Sequence, residues 1–180
     1  MFRKLSNIEL NRLDTEEYKR ARKLPVTVVL DNVRSQHNIG SAFRTSDAFL
    51  VEKVVLCGIC AVPPTPEIHK SALGAEFSVE WDYRDDAVQA VSELRDAGYT
   101  LIGVEQTENS TSLEDLKVED GKRYALVFGN EVKGVNQQVI DMCDECLEIP
   151  QWGTKHSLNV SVSAGVVLWE FCKKLRSINQ

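Results

Sequence analysis

Three short stretches of the chain, VTVVL at 26–30, TLIGV at 100–104 and YALVF at 124–128, are apolar at nearly every position. A strand with one wet face alternates apolar and polar residues. A strand covered on both faces does not, so runs like these belong inside a parallel sheet flanked by helices. Shorter runs at 54–57, 78–81 and 146–149 bring the expected strands to six, with helical patterns near 39–50, 67–73, 84–97, 136–143 and 158–175. The alternation predicts an α/β fold with a mostly parallel six-stranded sheet flanked by helices. The stretch from Asn7 to Lys23 contains neither Gly nor Pro and spaces Ile8, Leu10, Leu13 and Tyr18 as a narrow stripe, predicting a further helix ended by Pro25. The chain thus divides into a basic N-terminal helical extension, 1–24, and one main domain, 25–180.

Several function classes fall away early. No apolar run approaches the roughly 20 residues that cross a bilayer, and MFRKLSNIELNR has no signal-type apolar core. Five cysteines, an odd number, argue against a disulfide framework and for reduced thiols in a cytoplasmic protein. Cys57-x-x-Cys60 and Cys143-x-x-Cys146 are spaced like zinc pairs but lie too far apart for a ribbon, so no metal is expected. The net charge is −6, yet residues 1–23 hold seven Lys/Arg against four acids, and Lys173, Lys174 and Arg176 make the other end basic as well. Two basic ends on an acidic body can form one local phosphate-binding surface, or can be solvated helix faces with no partner.

Ligands of parallel sheets sit outside the carboxyl ends of the strands. That rule selects the turn after Leu30, the end of TLIGV, the turn after YALVF and the segment after Ile149. In HNIGSAFRTSDAF, 37–49, Asn38 is placed to cap a helix, Gly40 to let a ligand near the backbone, and Arg44 lies about a turn further on. The plainer alternative is a simple cap with Arg44 paired to an acid such as Asp47. In FGNEVKG, 128–134, Gly129 ends a strand and Gly134 a tight loop, with Glu131 and Lys133 between. In EIPQWGTKHSLNVSVSAG, 148–165, a helix is expected to start near Ser157, and Ser161, Ser163, Ala164 and Gly165 would let it pack closely. His37 and His156 adjoin these motifs, either touching a phosphate or satisfying a loop carbonyl. No GxGxxG, GxxxxGK[ST] or GxSxG pattern is present, which disfavours dinucleotide enzymes, P-loop ATPases and serine hydrolases.

In this order and spacing, NIGSAFR, FGNEVKG and IPQWGTKHSLNVS resemble the three motifs of the SpoU (TrmH-like) branch of the SPOUT RNA methyltransferases, across about residues 26–172. The resemblance implies a sheet whose C-terminal segment forms a deep trefoil knot, S-adenosylmethionine as methyl donor, a homodimer, and an RNA ribose 2′-hydroxyl as acceptor. It assigns Gly129, Ile149 and Leu158 to the cofactor, and Asn38, Arg44, Glu131, Ser157 and Asn159 to catalysis. Arg44 would act on RNA and cofactor held partly by the other subunit, as a base or as an electrostatic clamp. HNIGSAFRTSDA is most similar to the tRNA enzymes of the branch, which favours tRNA over rRNA. The alternatives are an rRNA 2′-O-methyltransferase of the same family and a catalytically silent RNA-binding factor on the same fold.

Overall fold

In the computed structural model, which describes residues 2–6 and 8–178, the three apolar stretches form the middle of one parallel sheet. They are β1 (Leu24–Asp31), β4 (Tyr99–Val104) and β6 (Arg123–Phe128), adjacent in the order β1-β6-β4. Beyond β1 lie β2 (Val51–Cys57) and then β3 (Trp81–Arg84). Beyond β4 lie β7 (Glu145–Glu148) and then β5 (Thr111–Ser112), and every pairing is parallel.

Among the described residues seven strands are present where six were expected, because β5 is only two residues long and carries no apolar signal. The third strand begins at Trp81 instead of ending there. Ser78 closes a short helix, α4 (Ala75–Ser78), and its hydroxyl donates to Asp47 at 2.6 Å. WDYR is an edge strand, so it lacks the apolar character of the centre.

Successive side chains of the central strands point to opposite faces, and each face has its own helices. Val28, Leu30, Leu126 and Phe128 pack with Ile39 and Phe43 of α2 (Gln36–Ala48), Ile68 of α3 (Pro66–Ala72), and Leu168 and Phe171 of α7 (Val160–Ile178). Val29, Leu101, Ala125 and Val127 face Ala90 and Val91 of α5 (Ala87–Asp96) and Val139 of α6 (Gln137–Ile140). This double covering is why VTVVL and YALVF are apolar throughout.

The N-terminal segment is less helical than its composition implies. It forms a 3-10 turn at Ile8–Leu10 and then α1 (Thr15–Arg20), while Asn7, the expected helix start, lies outside the described residues. Asn11 adopts a left-handed φ of 47°, which interrupts the pattern, and Asp14 restarts it through a reciprocal capping box with Glu17. Tyr18 of α1 is buried in the same core as β1 and α2.

One topological detail bears on the site. β7 lies between β4 and β5, although β4 and β5 are joined only by residues 105–110. Val104 and Thr111 pair with the same residue, Leu147, from its two sides. The chain leaving β7 therefore has to pass that short connection, and the side-chain amide of Gln106 donates to the His156 carbonyl at 2.8 Å as it does so.

Candidate active site

The carboxyl ends of β4 and β6 and the segment leading into α7 enclose a crevice of about 610 Å³. Its walls come from Val104–Gln106, Phe128–Gly134 and His156–Val160, three of the four places selected by the strand-end rule. A cavity of this size falls in the ordinary range for small-molecule sites.

The loop after β6 is folded on itself. Asn130 and Gly134 exchange both backbone hydrogen bonds at 2.9 and 3.0 Å, and the Asn130 carboxamide oxygen accepts from Val132 and Lys133. Gly134 sits at φ 68°, in the left-handed region. Behind it stands Glu105, the residue just past β4, whose carboxylate accepts from the Val135 amide at 3.1 Å and the Gln106 amide at 2.9 Å. Asp31, buried at the end of β1, accepts from the Asn136 amide at 2.8 Å and fixes the far end of the loop. Glu105, Gln106, Asn130 and Asp31 were not among the expected site residues. The available signal was an acid directly after an apolar strand, which marks both Asp31 and Glu105.

Glu131 projects from this loop onto the start of α2. Its carboxylate accepts from the backbone amides of Arg34 and Ser35, both at 3.2 Å, and from the Asn38 side chain at 3.0 Å. The Asn38 oxygen in turn accepts from the Asn159 side chain at 3.2 Å. Asn159 also caps α7, its oxygen accepting from the Ser161 amide at 2.9 Å. One chain of hydrogen bonds, Glu131–Asn38–Asn159, thus joins residues from all three motifs. Ser157 and Leu158 line the crevice beside it.

Four readings from the sequence change here. The cap of α2 is Ser35, whose hydroxyl accepts from the Asn38 amide, so Asn38 lies one turn in with its side chain free for Glu131 and Asn159. Gly40 is buried, and a side chain there would strike Ser71 and the Ile68 carbonyl of α3, so the close approach it permits is between helices. In α7 only Ala164 of the four small residues is buried, and a Cβ on Gly165 would meet nothing within 4 Å. The helix also starts at Val160, later than expected, because Asn159 is its cap.

Arg44 is not brought to the crevice. It is exposed on α2 and lines a separate groove with Asp14, Tyr18, Asp47 and Phe77. It makes no ion pair with Asp47, which accepts from Ser78 instead. Ile149 packs against the core next to the crevice and not in its lining. Gly129 serves the loop: a side chain there would stand on the backbone of Gly134 and Val135.

The Glu131 carboxyl is held below its ordinary value of 4.5. Burial opposes this, but the hydrogen bonds from Asn38, Arg34 and Ser35 outweigh it. Negative charge is also favoured at the start of α2. A carboxyl lowered by folding contributes stability above its unfolded value and loses that contribution as pH falls through its folded one. Replacing Glu131 by Gln should therefore lower the melting temperature at neutral pH. The gap between the two proteins should narrow as pH drops below 4.5, and a gap constant with pH would exclude the charged contacts as its source.

A parallel sheet with a polar crevice at its carboxyl ends, closed by a self-folded loop and a capped helix start, defines an α/β domain built to hold a small molecule. The profile of the SpoU rRNA Methylase family matches residues 25–169, and the chain belongs to that family. A relative in Staphylococcus saprophyticus, named for the TrmH family of tRNA/rRNA methyltransferases, is 32% identical over 152 residues, which are 84% of this chain and 60% of that one. A Staphylococcus epidermidis protein of the same naming is 29% identical over 165 residues, 92% of this chain and 65% of its own. The chain therefore spans less than two thirds of the length of these relatives. Among solved structures, the A. aeolicus TrmH/SpoU tRNA modifying enzyme superposes with a TM-score of 0.80 at 26% identity, covering 92% of this chain and 82% of that one. The SpoU methyltransferase AviRb of Streptomyces viridochromogenes, in complex with AdoMet, gives 0.74 at 26% identity, covering 90% and 64%.

Proposed function

We propose that this protein is an S-adenosylmethionine-dependent RNA methyltransferase that methylates a ribose 2′-hydroxyl, with tRNA favoured over rRNA as substrate. The observation that carries the proposal is the Glu131–Asn38–Asn159 hydrogen-bonded chain beside the crevice. A packing role alone would not require three polar motif residues to meet at the ligand end of the sheet.

The donor set fits the cofactor. Among the described residues the crevice is lined by two acids, Glu105 and Glu131, against one lysine, Lys133, and it lacks a phosphate loop, which suits a cationic sulfonium ligand without phosphates. Gly129 and Leu158 would offer a backbone edge and an apolar wall, with Ile149 supporting that wall from the core. When bound, S-adenosylmethionine supplies an electrophilic methyl group, so the protein has to align the hydroxyl and ease loss of its proton. In this reading Asn38 and Asn159 would orient the ribose or the arginine that acts on it, and Ser157 would offer a hydroxyl at the rim.

Arg44 completes this reading only from a second copy of the chain. α7 exposes Val162, Val166 and Trp169 at helical spacing, with Phe49 against Trp169 at 5.9 Å between ring centres. An apolar stripe of that kind supports a homodimer in which Arg44 of each protomer reaches the other's crevice. Passage of the chain leaving β7 beside the 105–110 connection likewise supports a threaded, knotted C-terminal segment. The five free thiols fit a cytoplasmic enzyme, and among the described residues no helix is long and apolar enough to cross a membrane.

The test is incubation of the purified protein with labelled S-adenosylmethionine and with tRNA or rRNA lacking the modification, followed by mass spectrometry of the nucleosides. One 2′-O-methylated nucleoside is expected, in tRNA. Its appearance in rRNA alone would favour the rRNA enzyme. Failure to bind the cofactor at all would leave the silent RNA-binding factor.

A further inference from the structure

Glu105 lines the crevice at the point where β4 ends and joins its two walls. Its backbone amide donates to the Leu147 carbonyl of β7 at 3.0 Å, which fixes the main chain there. One carboxylate oxygen accepts from the Val135 amide of the loop after β6 at 3.1 Å, and the other from the Gln106 amide at 2.9 Å. The Gln106 side chain then reaches the opposite wall at the His156 carbonyl. Gly134 leaves the room this needs, because a Cβ there would strike the carboxylate oxygen bonded to Val135. The carboxylate is therefore held in one place by partners on both sides.

The two acids of the lining differ in their settings. Glu131 is exposed, and its carboxylate is answered by the Arg34 and Ser35 amides, the Asn38 side chain and the start of α2. Glu105 is half-buried and stands at no helix start. Its two donors are neutral backbone amides, which orient a carboxylate without cancelling its charge. Lys133, the lysine of the lining, is exposed. A charge set into a crevice is screened less by water and salt than one on the surface, so it acts more strongly on the occupant.

We propose that Glu105 is a specificity-determining residue of the crevice, selecting the sulfonium of S-adenosylmethionine over the neutral thioether of S-adenosylhomocysteine. The proposal rests on the reading of the crevice as the S-adenosylmethionine site. The two ligands share their adenosine and amino-acid ends and differ by one methyl group and one positive charge. Contacts to the shared parts hold both alike, and a fixed carboxylate is the kind of group that tells them apart. Glu105 thus lets the crevice take up the donor in the presence of the spent product, which lacks that attraction.

Calorimetry on the purified protein tests this with S-adenosylmethionine, S-adenosylhomocysteine and sinefungin, an analogue carrying a protonated amine in place of the sulfonium. Glu105→Gln keeps the size of the side chain and removes its charge. The preference for S-adenosylmethionine over S-adenosylhomocysteine, taken as the ratio of their Kd values, is expected to fall by about tenfold, and sinefungin should weaken with the donor. Glu105→Asp keeps the charge, so its ratio should stay within about twofold of the wild type even where every ligand binds more weakly. If Glu105 only supports the loop, Glu105→Gln weakens all three ligands equally, and that result would overturn selection by charge while leaving the crevice reading intact. A ratio that collapses in Glu105→Asp would overturn it too, and this variant decides the matter if melting shows that Glu105→Gln does not fold. A wild-type protein that binds none of the three would defeat the S-adenosylmethionine reading, and this one with it.

Discussion

Replacing Gly129 by alanine is expected to destabilise the protein by about 3 kcal/mol and to remove cofactor binding together with that stability. Gly129 is not at a positive φ, so the alanine backbone is unstrained and the effect is purely one of space. The added Cβ would stand against the carbonyl carbon of Gly134 and the nitrogen of Val135, and 2.5 Å from the Gly134 oxygen. These are backbone atoms, and they cannot swing aside as a side chain end can. The loop is locked at the same point by the Asn130–Gly134 exchange and by the Glu105 carboxylate on Val135. Moving Gly134 breaks both and shifts Glu131, which the loop presents to α2. Thermal melting and calorimetry with S-adenosylmethionine check the two effects. A fall of roughly 6–12 °C in melting temperature is expected for a chain of this size. An alanine variant with wild-type melting temperature and wild-type affinity would show that the loop opens freely, contrary to its hydrogen bonding.

The centre of the sheet was legible because burial on both faces leaves a mark that needs no partner to interpret. VTVVL and YALVF carry that mark, and both form central strands. The edges carry no such mark. β3 reads WDYR and β5 is two residues, so their membership depends on a neighbour supplying one row of hydrogen bonds. At the site, the residue types of Asn38, Glu131 and Asn159 were readable, but not their wiring. Asn38 resembles a cap on the sequence alone, and only the position of Ser35 one turn earlier frees its side chain for Glu131, 93 residues away. Glu105 escaped for a related reason: an acid after a strand looks like any solvated turn until Gly134 and Val135 close over it. Gly40 shows the converse. A glycine announces a close approach but not what approaches, and here it is α3.

Arg44→Ala should lower methyl transfer by at least about 10²–10³-fold while leaving stability and cofactor affinity near wild type. The expectation follows from the isolation of Arg44 within its own protomer. It is exposed, it makes no ion pair with Asp47, and it lines a groove apart from the crevice, so its removal breaks nothing that holds the fold. A guanidinium is a poor base, but it is well suited to clamp a phosphate and to stabilise a developing alkoxide. Lysine at this position keeps the charge and loses the planar fork, so a substantial defect in Arg44→Lys would favour the clamp geometry over charge alone. Subunit mixing tests whether the arginine acts across the proposed dimer. Arg44→Ala protomers and Asn159→Ala protomers should each be inactive as homodimers. Mixed and re-equilibrated, they should regain activity, because one of the two sites in a mixed dimer then draws Arg44 and Asn159 both intact from different chains. Activity that fails to return although mixed dimers form would place Arg44 in the site of its own protomer. That outcome would require α2 to move relative to the loop that Glu131 now ties to it.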